Sequence, residues 1–354
     1  MGGGKNRLSL QARAILALVE ITSDTLCAVT INLLTAVPSG MVLLADSMLT
    51  LGGPMSAIVT TFENAAKLIP LGRKPTPAAA MISGAGDING KLVSGLLRKA
   101  GTLVDVAAKT GPVGHSEVLA SVRAAIDPEW HAGVMALRTD VAARQSQLDE
   151  LSRINTERTA QGQAPLPQIE PKHIAVIGET DNDPEAFISI RPPILTIVVG
   201  TYFDDVQRAT EIWWPGTAMD ISAPSVKWWG SGSTAVSRLI LGFDFGRLEA
   251  RAAAEAAQAA PAPGLGTPPG ATVDDAQRAL AYARSVVPEF QMGIPLAAIP
   301  LQDAIEFTEY LGKVACGFDK FSLGPAGVGG PLDVLVLLPN RRRWVRRKEI
   351  HSTL

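Results

Sequence analysis

Apolar residues in this chain fall into two kinds of run. Short runs rich in β-branched residues and bounded by Pro, Gly, Asn or Asp read as strands, whereas longer stretches with apolar residues every three or four positions read as helices. The first clear signal is a pair of apolar runs, residues 25–32 (TLCAVTIN) and 41–46 (MVLLAD), joined through Pro38-Ser39-Gly40. Proline and glycine pre-set turn dihedrals, so the spacing predicts an antiparallel hairpin. Further strands are predicted at 173–178, 186–190, 194–199, around Glu211-Ile-Trp-Trp-Pro215, and at 332–338. The turn residues Asp181-Asn182-Asp183-Pro184 predict that 173–178 and 186–190 form a hairpin. Helical spacing marks 91–100, 116–126, 235–241, 273–284 and 301–311. Alternating strand and helix patterns of this kind permit an ordinary α/β fold as well as an α+β one.

Between these elements the composition shifts. Residues 1–24 open on three glycines and continue with helix-forming composition, as an attached N-terminal helix or a removable segment. Residues 128–171 include the polar helical stretch Asp140–Leu151 and a linker from Ala160, and are expected to form a helical insertion that projects from the core and meets another subunit. Residues 251–271 are mostly Ala, Pro and Gly, which bury too little apolar side chain to offset ordering entropy; a disordered surface loop is expected. The tail at 340–354 carries Arg341, Arg342, Arg343, Arg346, Arg347 and Lys348, read as a solvated basic terminus.

Composition then narrows the chemistry. The 354 residues are 47% hydrophobic with a formal net charge of −2, which argues against a general attraction to nucleic acid or membrane. Two cysteines, Cys27 and Cys316, make no disulfide framework and fit a reducing compartment. The four histidines show no ligand spacing, so no metal site and no cofactor is expected. No glycine motif that cradles phosphate is present. The apolar run 14–19 is short for a signal peptide and 193–199 is too short for a membrane helix, so a cytoplasmic protein is expected. The tryptophans at 213, 214, 228 and 229 are expected to pack in the core or against another subunit.

One acid stands apart. Asp46 closes an otherwise apolar strand, and an acid there must reach solvent or pair, because lone burial costs several kcal/mol; Lys67 is the natural partner. Around these residues Gly40-Met-Val-Leu-Leu-Ala-Asp46-Ser, Lys67-Leu and Ser83-Gly-Ala-Gly-Asp87 resemble the opening of a proteasome β-type subunit, an N-terminal nucleophile hydrolase. Downstream, Lys172–Glu179, Ala186–Ile190, Trp229-Gly-Ser-Gly-Ser233 and Gly329–Val336 continue the resemblance over roughly two thirds of the chain.

The resemblance implies an α+β fold of four layers, αββα, formed by a single domain at 25–354, and a threonine nucleophile exposed by removal of residues 1–24. Thr25 is the candidate, with Thr22, Ser23 and Thr30 close by and Cys27 as a thiol alternative. A freed α-amine, with a pKa near about 8, accepts the hydroxyl proton. In this scheme Lys67 favours the alkoxide, Asp46 holds Lys67, and backbone N–H groups at Ser83 and Gly84 form the oxyanion hole. Ser231 and a second acid, for which Asp319 is the nearest candidate, complete the site. Three positions depart from the family: Asp24 stands where glycine is usual, Met48 where arginine is usual, and Pro325 where the second aspartate is expected. Asp46 and Lys67 also fit a purely structural ion pair, and Ser231 a helix cap. The implied activity is cleavage of peptide bonds in unfolded polypeptide by a homo-oligomer, with a separate ATP-dependent unfoldase as a possible partner. The alternative is a non-catalytic assembly protein of the same fold.

Overall fold

The computed structural model describes residues 26–28, 30–52, 58–62, 65–74, 76–165, 174–176, 188–190, 195–214, 216–230, 233–241, 293–321 and 328–348. It is mixed α and β, with two large sheets in which all pairing is antiparallel. The expectations for residues 1–24, 251–271 and 273–284, and those for Thr25 and Ser231, lie outside the described residues.

The first strands depart from the expected hairpin. The run 25–32 is interrupted, so that β1 (Leu26–Ala28) and β2 (Asn32–Val37) are separate strands. The hairpin is made by β2 and β3 (Gly40–Ala45) around a turn of only two residues, Pro38 and Ser39, with Val37 opposite Gly40. β4 (Leu49–Gly52) and β5 (Ile58–Phe62) follow, then β6 (Leu68–Pro70) and β7 (Ala78–Ala85). A short pair, β8 (Asp87–Ile88) and β9 (Lys91–Leu92), leads into helix α1 (Val93–Thr110). Val93, Leu96, Leu97, Ala100 and Val104 are its buried positions, the stripe that helical periodicity predicts.

Helix α2 (His115–Ala160) runs through Pro128 without a break. Its start is capped by Glu117, whose carboxylate accepts the Gly114 N–H at 2.9 Å. Val118, Val122, Ala125, Ile126 and Trp130 are buried along its first turns, and Leu148, Leu151 and Asn155 further on, beside the strand β10 (Ile174–Val176). The expected insertion is therefore the continuation of one helix. β10 pairs with β11 (Ile188–Ile190) in parallel, which corrects the predicted hairpin. Eleven intervening residues, 177–187, are close to the dozen that a crossover takes, so the turn residues there did not dictate an antiparallel return.

β12 (Leu195–Phe203), β13 (Val206–Trp214) and β14 (Thr217–Ile221) form a meander, and β15 (Ser225–Trp229) precedes helix α3 (Ser233–Leu241). Helix α4 (Leu301–Lys320), β16 (Asp333–Leu338) and β17 (Arg341–Arg346) complete the chain. The first sheet has the order β14-β13-β12-β7-β1-β4-β5, with β6 also on β7; the second is β15-β2-β3-β16-β17. Within the basic tail, residues 341–346 form an edge strand whose Arg341, Arg343 and Arg346 are exposed. Trp344 packs against the core, and the Arg342 guanidinium donates to the carbonyls of Leu71, Gly72, Thr76 and Ala78.

Three apolar clusters hold these elements together. One joins α1 and α2 to β6, β7, β12 and β13; another joins α3 and α4 to β2, β3 and β16. The third takes residues from both sheets, among them Leu34, Leu43 and Leu335 of the second and Leu68, Met81 and Val198 of the first. Each fully buried leucine contributes about 2 kcal/mol, so the pattern of strand faces decides the stacking. The tryptophans are spent on this packing: Trp214 is buried in the first cluster and donates its indole N–H to Asp127 at 2.8 Å, while Trp228 and Trp229 lie against the other two.

Candidate functional site

Asp46 and Lys67 do meet. Asp46 follows the last residue of β3 and Lys67 precedes β6, and their side chains are 0% and 3% exposed at an N–O distance of 2.8 Å. Burial of both is sustained because the carboxylate is saturated with donors. Oδ1 accepts the Lys67 ammonium, the Thr30 hydroxyl at 2.7 Å and the Ile31 N–H at 3.1 Å. Oδ2 accepts the Gly329 N–H at 3.1 Å and the Met48 N–H at 3.3 Å. With five donors, the cost of burying the carboxylate is offset by local dipoles as well as by its counterion. Burial pushes the Lys67 ammonium below the usual lysine range, with Asp46 opposing that shift and Lys348 adding to it.

Three chain segments interlock around this pair. Ser47 donates its N–H to the Gly329 carbonyl, Ala65 to that of Ser47, and Ile82 to that of Lys67. The last of these contacts continues the pairing of β6 with β7, whose same edge is then taken over by β1. Ala28 lies opposite Gly84 and Cys27 opposite Ala85, while on its other side β1 pairs with Leu51 and Thr50 of β4. β1 is therefore a three-residue strand inserted between two others, and it ends two residues before Thr30. Thr30 itself is fully buried at the ion pair.

Thr25, the first candidate from sequence, lies outside the described residues; among those described, Thr30 is a threonine that meets Asp46. The signal available was a simple one: Thr30 precedes β2 by two residues, at the start of the hairpin strand that ends beside Asp46. Gly230 shapes this corner. Its φ of +96° suits glycine alone, and a Cβ there would stand 2.0 Å from the Thr30 carbonyl oxygen.

The remaining candidates divide. Gly84 has a φ of +89° at the point where β7 exchanges β6 for β1, which puts its backbone on the edge nearest Thr30. On the opposite edge both residues pair with β12, Ser83 with Thr196 and Gly84 with Leu195. Asp319 is linked to the pair through the backbone: its Oδ2 accepts the Val328 N–H at 2.7 Å, and the next N–H, of Gly329, goes to Asp46. Met48 is buried, and its thioether is the group that an added Cβ on Gly329 would strike at 2.8 Å. Cys316 lies on α4 close enough to feel Asp46, Asp319 and Lys67; burial pushes its thiol up to about 12, which rules out a thiolate at neutral pH. Among the described residues no group of three or more His, Cys, Asp or Glu side chains is placed to hold a metal ion, and no helix is long and apolar enough to cross a membrane.

Chemically, the arrangement provides a hydroxyl, an ammonium and a carboxylate in one buried cluster, next to backbone edges that bind extended chain. Compared with models of known protein families and with curated proteins, the chain matches none.

Proposed function

We propose that this protein is a threonine-type N-terminal nucleophile hydrolase that cleaves peptide bonds, with Thr30 as its nucleophile and residues 1–29 as the segment removed to free it. The observation that carries this reading is the position of Thr30, whose hydroxyl shares Asp46 Oδ1 with the Lys67 ammonium directly after a strand held in the slot between β7 and β4. That strand lies as a peptide substrate would, extended and paired on both sides, and it leads to the Val29–Thr30 bond.

In the maturation step the Thr30 hydroxyl oxygen attacks the Val29 carbonyl, the C–N bond breaks, and water hydrolyses the resulting ester to release residues 1–29 and leave a free Thr30 amine. In turnover that amine takes the hydroxyl proton as the oxygen attacks a substrate carbonyl, then returns it to the leaving amine. Water hydrolyses the acyl-threonine with the amine again as base. Lys67 supports the developing alkoxide by its charge, Asp46 orients Lys67, and the Gly84 N–H serves the oxyanion. Removal of residues 1–29 also takes β1 out of the slot and leaves the β4 and β7 edges open for substrate.

The three clusters support a four-layer αββα arrangement, as the resemblance to proteasome β-type subunits implies, and the reading extends to a cytoplasmic homo-oligomer that admits unfolded polypeptide, supplied by an ATP-dependent unfoldase. Intact mass of the purified protein tests it. A chain beginning at Thr30, with Thr30→Ala neither shortened nor able to hydrolyse a fluorogenic peptide, is expected. A chain beginning at Thr25 would return the nucleophile to that residue. A second reading, a non-catalytic assembly protein, is favoured by one observation: the Asp319 carboxylate is engaged by the Val328 N–H, and Pro325 stands where the second acid is expected. An uncut chain, inert also when expressed to begin at Thr30, would establish that reading.

A further inference from the structure

Of the described basic residues in the C-terminal tail, Arg341, Arg343, Arg346 and Arg347 are exposed, whereas Arg342 and Lys348 turn their charged groups inward. The Lys348 side chain is 6% exposed, as is that of Asp333, 3.7 Å away. The Lys348 ammonium donates to the Ala65 carbonyl and its backbone N–H to Asp333 Oδ1 at 2.8 Å. Asp333 is paired with Ala45, the residue before Asp46, and Ala65 lies two residues before Lys67 with its own N–H on Ser47. A second buried ion pair thus stands behind the first, bonded to the two segments that carry it. β17 holds this residue firmly in place, through the Arg342 contacts and the stacking of Arg347 on Trp344.

We propose that Lys348 is a positioning residue of the site: its ammonium, anchored by Asp333, ties down the segment leading to Lys67 through the Ala65 carbonyl and places a second buried cation behind the Asp46–Lys67 pair. Among the described residues, the charged and titratable groups that act on Lys67 include Asp46, Cys316 and Lys348, and those that act on Lys348 include Asp333, Asp46 and Arg347. Asp46 favours the protonated form of Lys67 and Lys348 opposes it, so removing Lys348's charge strengthens the hold of Lys67 on its proton. This rests on the hydrolase reading for its use in turnover, whereas the anchoring of Lys348 to Ala65 and Asp333 stands without it.

The test is direct titration of the Lys67 ζ-nitrogen by NMR in protein labelled with 15N-lysine, its signal identified by its loss in Lys67→Met. Lys348→Gln keeps an N–H donor for the Ala65 carbonyl and removes the charge; the Lys67 midpoint is expected to rise by about one pH unit, the scale of one partly buried like charge. Lys348→Arg keeps the charge and should leave the midpoint in place. Asp333→Asn, which leaves Lys348 uncompensated, should move it the other way and serves if Lys348→Gln does not fold. The pH profile of peptide hydrolysis should move with the Lys67 midpoint. An immobile midpoint in Lys348→Gln, or in Asp333→Asn should that be the variant that folds, overturns the proposal, whether or not peptide is hydrolysed. A mobile midpoint in a protein without hydrolysis upholds it and overturns the hydrolase reading instead.

Discussion

Asp46→Asn is the most searching substitution, because it keeps the shape of the side chain and changes only what its oxygens are asked to do. The carboxylate accepts three donors on Oδ1 and two on Oδ2. Asparagine retains one oxygen. Placed toward Thr30, Ile31 and Lys67, it keeps those contacts without the charge and turns its NH2 against the N–H groups of Met48 and Gly329. Two backbone donors then lose their acceptor, at about 1–3 kcal/mol each, and the buried Lys67 loses its counterion. Rotating the amide only exchanges which donors are orphaned. The expected loss is about 3–5 kcal/mol, the range for breaking a buried pair from one side. Urea unfolding of an uncleavable Thr30→Ala background, followed by tryptophan fluorescence, measures it without interference from processing. The double variant Asp46→Asn with Lys67→Met should be less destabilised than Asp46→Asn alone, since it also removes the uncompensated buried ammonium. An Asp46→Asn protein within about 1 kcal/mol of its Thr30→Ala parent would refute the view that the carboxylate is held by its four other donors.

Gly230→Ala should displace Thr30, since its Cβ would meet the Thr30 carbonyl at 2.0 Å and the φ of +96° is strained for alanine; loss of chain shortening with native circular dichroism is the expected result. Arg342→Met leaves four carbonyls without their guanidinium donor and should cost about 2–3 kcal/mol in urea unfolding, whereas an exposed neighbour such as Arg343→Met should change little. His115, with Nε2 on Thr210 and Nδ1 on Thr201, is held below its ordinary 6.5 mainly by burial, with Arg208 adding to the shift and Asp220 opposing it. The unfolded chain therefore binds a proton at His115 before the folded one does, so its contribution to stability is full above pH 6.5 and is lost as pH falls from there toward the folded-state value. His115→Gln should flatten the fall in unfolding free energy between about pH 7 and pH 5 relative to wild type, and an unchanged slope would contradict the assignment.

Much of the local structure was legible in the residues themselves. The alternating and continuous apolar runs announced β3, β12 and β16, the three- and four-residue spacing announced α1, the start of α2 and α4, and the acid at the end of β3 announced its pairing with Lys67. These are short-range properties: side-chain period and turn chemistry act within a few residues. What they leave open is which strand lies beside which. A period of two states that a strand has an inner face, and says nothing of its neighbour. So the run 25–32 read as one strand, although its halves serve different sheets and the break between them brings Thr30 to Asp46. The same gap in local information made β10 and β11 a hairpin on paper and a parallel pair in the fold. Lys348 and Arg342 read as solvated charges for a related reason. The acceptors that bury them, Asp333 and the carbonyls of 65, 71, 72, 76 and 78, come from remote parts of the chain and are gathered only when β17 closes the edge of its sheet. The sequence determined where elements such as β3, α1 and α4 form and which acid must find a base, because those follow from neighbours in the chain; tertiary structure alone decided that Thr30 stands beside that acid, because that follows from neighbours in space.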